Sequence, residues 1–100
     1  MRVKDILPAG RANAISGTDL ARILNLKNKR DLTQMIERER RSGQPICATT
    51  NRGYYLADSP EEMAQYIESL SHRIHQVTVT KLHCEETLSK MKEGDDDRGQ

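Results

Sequence analysis

The 100-residue sequence predicts a mainly α fold with a small β-hairpin and a long C-terminal helix. Three observations carry that expectation. Helix-start signals recur at Ser16, Asn28 and Ser59, each with an acid three positions on, at Asp19, Asp31 and Glu62. Two short strand-like runs flank the turn residues Thr50-Asn51-Arg52-Gly53. Side chains from Met63 to Met91, apolar except for Lys81, recur at alternating steps of four and three, which is helical spacing.

In chain order, Arg2 to Leu7 reads as a short helix with Ile6 and Leu7 on its apolar side, stopped at Pro8-Ala9-Gly10. Residues 11 to 14 read as a connection, and Ala14-Ile15 as a very short strand. Ser16 caps a second helix that places Leu20, Ala21, Ile23 and Leu24 at helical spacing. Asn25 ends it, because asparagine tolerates the left-handed backbone. Leu26 and Lys27 form a turn. Asn28 caps a third helix over Lys29 to Ser42, closed by Gly43. With Leu32 set at zero and steps of about 100°, Leu32, Met35 and Ile36 form its buried stripe. Arg30, Gln34, Glu37 and Arg41 fall on the opposite face, flanked by Thr33 and Arg38. Ile46-Cys47-Ala48-Thr49 and Tyr54-Tyr55-Leu56-Ala57 read as a hairpin with Arg52 near its tip. Ser59-Pro60-Glu61-Glu62 starts a last helix that runs to about Met91, and the acidic residues after it read as a disordered tail.

Composition bounds the function. With no Phe, no Trp and three Tyr, the core is small and aliphatic. A chain this short buries about 60 to 65% of its surface, which argues against a large enclosed active site. Cys47 and Cys84 lack metal or redox spacing and read as reduced thiols, more as small buried apolar residues than as nucleophiles. His72 and His75 stand at metal-compatible spacing, but His83 lies too far along the helix, and solvent-exposed histidines are the default reading. No cofactor, metal site, small-molecule ligand or enzymatic activity is expected. No apolar run suits a membrane span or a signal peptide, so a cytoplasmic protein is expected. The formal net charge of +1 conceals an asymmetry: residues 1–56 carry 11 Lys/Arg against 5 Asp/Glu, and residues 57–100 carry 5 against 10. A basic half suits a polyanionic partner.

Short helix, second helix, tight turn, basic helix and hairpin follow the order of a winged helix-turn-helix, here followed by a long C-terminal helix. Residues 14 to 57 resemble the DNA-binding domain of the biotin repressor family. The carrying motifs are Ile15-Ser16-Gly17 before Leu20-Ala21, Arg40 three before Gly43, and Gly53-Tyr54-Tyr55-Leu56. Gly10 to Ile15, Pro45-Ile46-Cys47 and the Gly53 motif are also similar to small phage and mobile-element proteins of Gram-positive bacteria. Asn25 stands where the family has Gly. The resemblance implies binding of double-stranded DNA through the third helix and the hairpin, and does not imply biotin sensing. Side-chain chemistry agrees: Arg30, Gln34, Arg41 and Thr33 suit base edges, and Lys27, Lys29, Arg38 and Arg52 suit phosphates. The bland alternative is a solvated face laced with ion pairs such as Glu37 to Arg41.

The long helix predicts a partner surface. Met63, Leu70, Val77, Cys84 and Met91 fall at heptad position d, and Ile67, Ile74, Lys81 and Leu88 at a. At about 48 Å such a helix outreaches a small domain, so a homodimer is expected, with its first turns, around Met63 and Ile67, on the protein's own first helix. Ile at a with Leu at d favours parallel pairing. The expected organisation is a DNA-binding domain over 1–58, a dimerisation helix over 59–92 and an acidic tail over 93–100. The function expected is that of a dimeric transcriptional regulator of a phage or mobile element. A replication or excision accessory protein and a protein-interaction adaptor are the alternatives.

Overall fold

A computed structural model describes residues 1–98. The elements are α1 (Val3–Ile6), a 3-10 turn (Arg11–Asn13), α2 (Gly17–Ile23), α3 (Lys29–Arg41), β1 (Ile46–Thr49), β2 (Gly53–Leu56) and α4 (Pro60–Arg98). The protein is mainly helical, with one antiparallel hairpin and a long C-terminal helix. The chain divides into two compact units, Met1–Tyr66 and Ile67–Gln100. The boundary expected at 58 therefore moves to 66, because the first two turns of α4 belong to the first unit. Helix α4 continues past 92 to Arg98, where a disordered tail over 93–100 was expected. A single glycine, Gly94, weakens a helix without ending it, and no proline follows. The last two residues of that tail, Gly99 and Gln100, lie outside the described residues.

The caps form as the sequence predicts. Ser16 Oγ accepts the Asp19 N–H at 3.1 Å, and Asn28 Oδ1 accepts the Asp31 N–H at 2.9 Å. Ser59 Oγ accepts the Glu62 N–H at 3.2 Å, but the returning Glu62 carboxylate takes the Asp58 N–H instead, at 3.3 Å. Asn25 adopts φ 57°, the left-handed turn that ends α2. Gly43, at φ 99°, closes α3.

Helix α1 has only four residues, too few to hold itself together. Glu39 on α3 supports it: its two carboxylate oxygens accept the Val3 and Lys4 N–H groups at 2.7 and 2.9 Å. Val3 in α1 and Leu7 at its C-terminal cap are buried, while Ile6 is only half-buried. They join Leu20, Ala21, Leu32, Ile36 and Ile46 in one aliphatic cluster. Met35 completes the predicted α3 stripe from a half-buried position, and Ile23 of α2 is exposed.

The hairpin register pairs Ile46 with Leu56, Cys47 with Tyr55, Ala48 with Tyr54 and Thr49 with Gly53. The outer edge of β2 is also covered. Ile15 N–H donates to the Tyr54 carbonyl at 2.8 Å, and Tyr54 N–H donates back to the Ile15 carbonyl at 2.7 Å. Gly10 N–H donates to the Leu56 carbonyl at 2.8 Å, and Leu56 N–H to the Pro8 carbonyl at 2.9 Å. Two isolated bridges, parallel at Ala9 and antiparallel at Ile15 with the 3-10 turn between them, thus cover the outer edge of the two-stranded sheet. Ile46 faces the helical core. Cys47 and Tyr55 face the other side, where Met63 Sδ of α4 lies 4.0 Å from Cys47 Sγ.

Arg40 ties these parts together. Its Nε donates to the Ile46 carbonyl at 2.9 Å, Nη1 pairs with Glu37 at 2.9 Å, and Nη2 donates to the Tyr66 hydroxyl at 2.9 Å. Its guanidinium carbon also stands 5.4 Å from the centre of the Tyr66 ring. Tyr66 is therefore the inward residue of the second turn of α4. Ile67, expected to pack inward, is 54% exposed. Among the described residues no helix is long and apolar enough to cross a membrane.

Candidate nucleic-acid interface

Helix α3 is a ridge between two clefts. The 100° step puts Lys29 and Thr33 on one flank, Arg38 and Met35 on the other, and Arg30, Gln34 and Arg41 on the crest. The structure agrees with that division. On the first flank, Lys29, Leu32 and Thr33 share a cleft of about 350 Å³ with Ser16, Gly17 and Thr18 at the start of α2 and residues 48–54 of the hairpin. On the second, Met35, Arg38 and Glu39 share a cleft of about 290 Å³ with Arg2, Ser42 and Gln44. All eight predicted contact residues, Lys27, Lys29, Arg30, Thr33, Gln34, Arg38, Arg41 and Arg52, are exposed.

The first cleft brings Lys29, Thr33 and Arg52 together. Arg38 lies in the other cleft, and Arg30, Gln34, Arg41 and Lys27 line neither. Thr33 Oγ1 donates to the Lys29 carbonyl at 3.0 Å, so its hydroxyl hydrogen is engaged and its oxygen is left to accept. Arg52 owes its place to the tip: its N–H donates to Thr49 Oγ1 at 2.8 Å, which draws the turn closed.

The ion pairs leave the crest cationic. Glu37 pairs with Arg40 at 2.9 Å, not with Arg41 four positions on. Among the described residues, Lys27, Lys29, Arg30, Arg38, Arg41 and Arg52 have no carboxylate within 4.0 Å. Five of the six lie on α3 or at its entrance. Ser16, Thr18, Thr50 and Asn51 line the first cleft as well, and Arg11 shares a further cleft with residues 49–52 of the hairpin. Their residue types read as caps, turns and connection, and only the folded arrangement brings them to the basic face.

The thiols differ from the expectation in one respect. Cys47 is fully buried in unit 1, whereas Cys84 is exposed. Burial pushes the Cys47 thiol above its ordinary range, which keeps it protonated and unreactive. Among the described residues no three His, Cys, Asp or Glu side chains gather as a metal site. His72 Nε2 faces Gln76 Nε2 at 3.2 Å, and His83 Nδ1 lies 4.0 Å from Glu86.

In the second unit, the a and d side chains are open. Ile67, Ile74, Val77, Leu88 and Met91 are each more than half exposed, and Leu70 is half-buried. Lys81 Nζ is drawn along its own helix to Glu85 at 3.4 Å. Met63, the first residue of the predicted seam, is half-buried in unit 1 beside Cys47.

No family model, no curated protein and no solved structure matches the chain.

Proposed function

We propose that the chain is a winged helix-turn-helix protein that binds double-stranded DNA through α3 and the hairpin tip. It works as a homodimer through the a/d seam of α4, as a transcriptional regulator of a phage or mobile element. The observation that carries this reading is the α3 crest. Arg30, Gln34 and Arg41 stand on one exposed line of a single helix, with no carboxylate among the described residues within 4.0 Å of either arginine. A major groove admits one helix, and arginine and glutamine can each bond two atoms of a base edge. Lys29 and Arg52 line the cleft beside the crest, where they can hold the phosphates of a flanking strand.

The test is binding to a random duplex pool at several salt concentrations, followed by selection of the bound sequences. Affinity should fall by about 0.9 log units per log unit of salt for each phosphate neutralised. An Arg30→Ala/Arg41→Ala variant should lose at least about tenfold in affinity for the selected site, at roughly 1 to 3 kcal/mol per bidentate contact. Binding that is flat in salt, or untouched in that variant, overturns this interface. Absence of DNA affinity at low salt favours the adaptor function instead.

A further inference from the structure

We infer that the second copy on the α4 seam lies antiparallel, with Ile67 of one chain opposite Met91 of the other, against the parallel pairing that Ile at a with Leu at d favours by itself. This rests on the proposed homodimer and assigns its orientation. Three features of the helix carry it.

The first is charge. Lys81 stands alone among apolar residues at the a positions of the seam. In a parallel, in-register pair each a residue meets its own copy, so two ammonium groups would share one layer between Val77 and Cys84. In an antiparallel pair a faces d, so Lys81 stands beside Val77 of the other chain and the two ammonium groups fall in successive layers, about 6 Å apart along the axis, instead of sharing one. The flanking e and g positions do not oppose this choice, since neither arrangement brings like charges together there.

The second is shape. A groove of about 350 Å³ runs along the C-terminal half of the seam, lined by Thr80, His83, Cys84, Thr87, Leu88 and Met91. Parallel pairing sets this hollow against itself. Antiparallel pairing sets it against Ile67, Leu70 and Ile74, the bulky half of the seam, with Ile74 over Cys84.

The third is register. Met63 is engaged beside Cys47 in the first unit, so the seam open to a partner starts at Ile67 and ends at Met91. Antiparallel overlap of Ile67 with Met91 uses every open seam position in both chains, as in-register parallel overlap also does. It also separates the two Ile67 residues by about 36 Å along the pair at 1.5 Å per residue. Parallel pairing would leave them about 10 Å apart, one interhelical distance.

The experiment is cysteine cross-linking of the intact chain, with light scattering in parallel. A parallel pair stacks Cys84 on Cys84 and forms a disulfide-linked dimer when diamide takes up the two electrons. An antiparallel pair holds these residues about 15 Å apart along the axis, too far for a disulfide. The native chain should therefore scatter as a dimer and remain unlinked. An Ile74→Cys variant should become linked, with mass spectrometry locating the bond between position 74 of one chain and Cys84 of the other. A Lys81→Leu variant, freed of the like-charge layer, should gain Cys84-to-Cys84 linkage. A linked native dimer, or a 74-to-74 bond in the Ile74→Cys variant, overturns the orientation and leaves the homodimer standing. A monomer at tens of micromolar overturns both.

Discussion

Gly53 is the residue whose identity the structure constrains most tightly. It holds φ 108°, and a Cβ there would collide with the carbonyl of Ile15. That carbonyl cannot retreat, because it accepts the Tyr54 N–H at 2.7 Å in the bridge that holds Ile15 on β2. Gly53→Ala should cost about 3 kcal/mol or more, from the left-handed backbone and the clash together. Gly43 is the control. Its φ of 99° is as unfavourable for an L side chain, but nothing lies within 4 Å of a Cβ there. Gly43→Ala should cost about 1 to 2 kcal/mol, the backbone term alone. Urea unfolding of the two variants separates conformational cost from steric cost, and equal losses would refute the packing at Ile15.

At the scale of the element, the hairpin and the end of α3 are coupled through few contacts. Arg40 serves the hairpin, its own helix and α4 at once, and only a planar guanidinium reaches all three. Arg40→Lys keeps the charge and should still lose roughly 2 kcal/mol, since the bonds to Ile46 and Tyr66 cannot both be replaced. A urea midpoint unchanged from the parent would contradict this. On the covered face of the hairpin, burial raises both the Cys47 thiol and the Tyr55 phenol above their ordinary values of 9.0 and 10.0. Both groups are neutral when protonated, so the folded state holds their protons more tightly than the unfolded chain does. Stability should be level through neutral pH, then fall as pH rises past the ordinary thiol and phenol values and the unfolded chain ionises first. Urea midpoints measured from about pH 7 to about pH 10.5 check the sign, and Tyr55→Phe should shallow the fall.

At the scale of the whole molecule, the two units rest on different sources of stability. The first has a closed aliphatic cluster. The second is a single helix whose apolar side chains are more than half exposed at five seam positions, and a lone helix of this kind is marginal in water. A dimer would cover that surface, so the melting temperature should rise with protein concentration. Val77→Asp should remove that dependence, at a cost of at least about 2 kcal/mol in association, while circular dichroism of the first unit's sheet persists. A melting temperature independent of concentration in the parent chain would count against the dimer.

The sequence by itself determined the local geometry. The caps at Ser16, Asn28 and Ser59, the left-handed stop at Asn25, the α3 stripe and crest, and the hairpin with Arg52 at its tip all follow from nearest-neighbour chemistry, which needs only a few adjacent residues. The heptad spacing of α4 is equally local. Tertiary structure decided what depends on residues distant in sequence. Glu39 reads as one more helical charge until Val3 and Lys4 arrive beside it. Arg40 reads only as the arginine three before Gly43 until Ile46 and Tyr66 take its donors, and its pairing with Glu37 leaves Arg41 without the acid expected for it. Tyr66 displaces Ile67 as the inward residue because Arg40 supplies the partner its hydroxyl needs. The clefts on either side of α3 are likewise products of packing. They form only where α2, the hairpin and the N-terminal segment meet that helix, and no spacing along the chain encodes such a meeting.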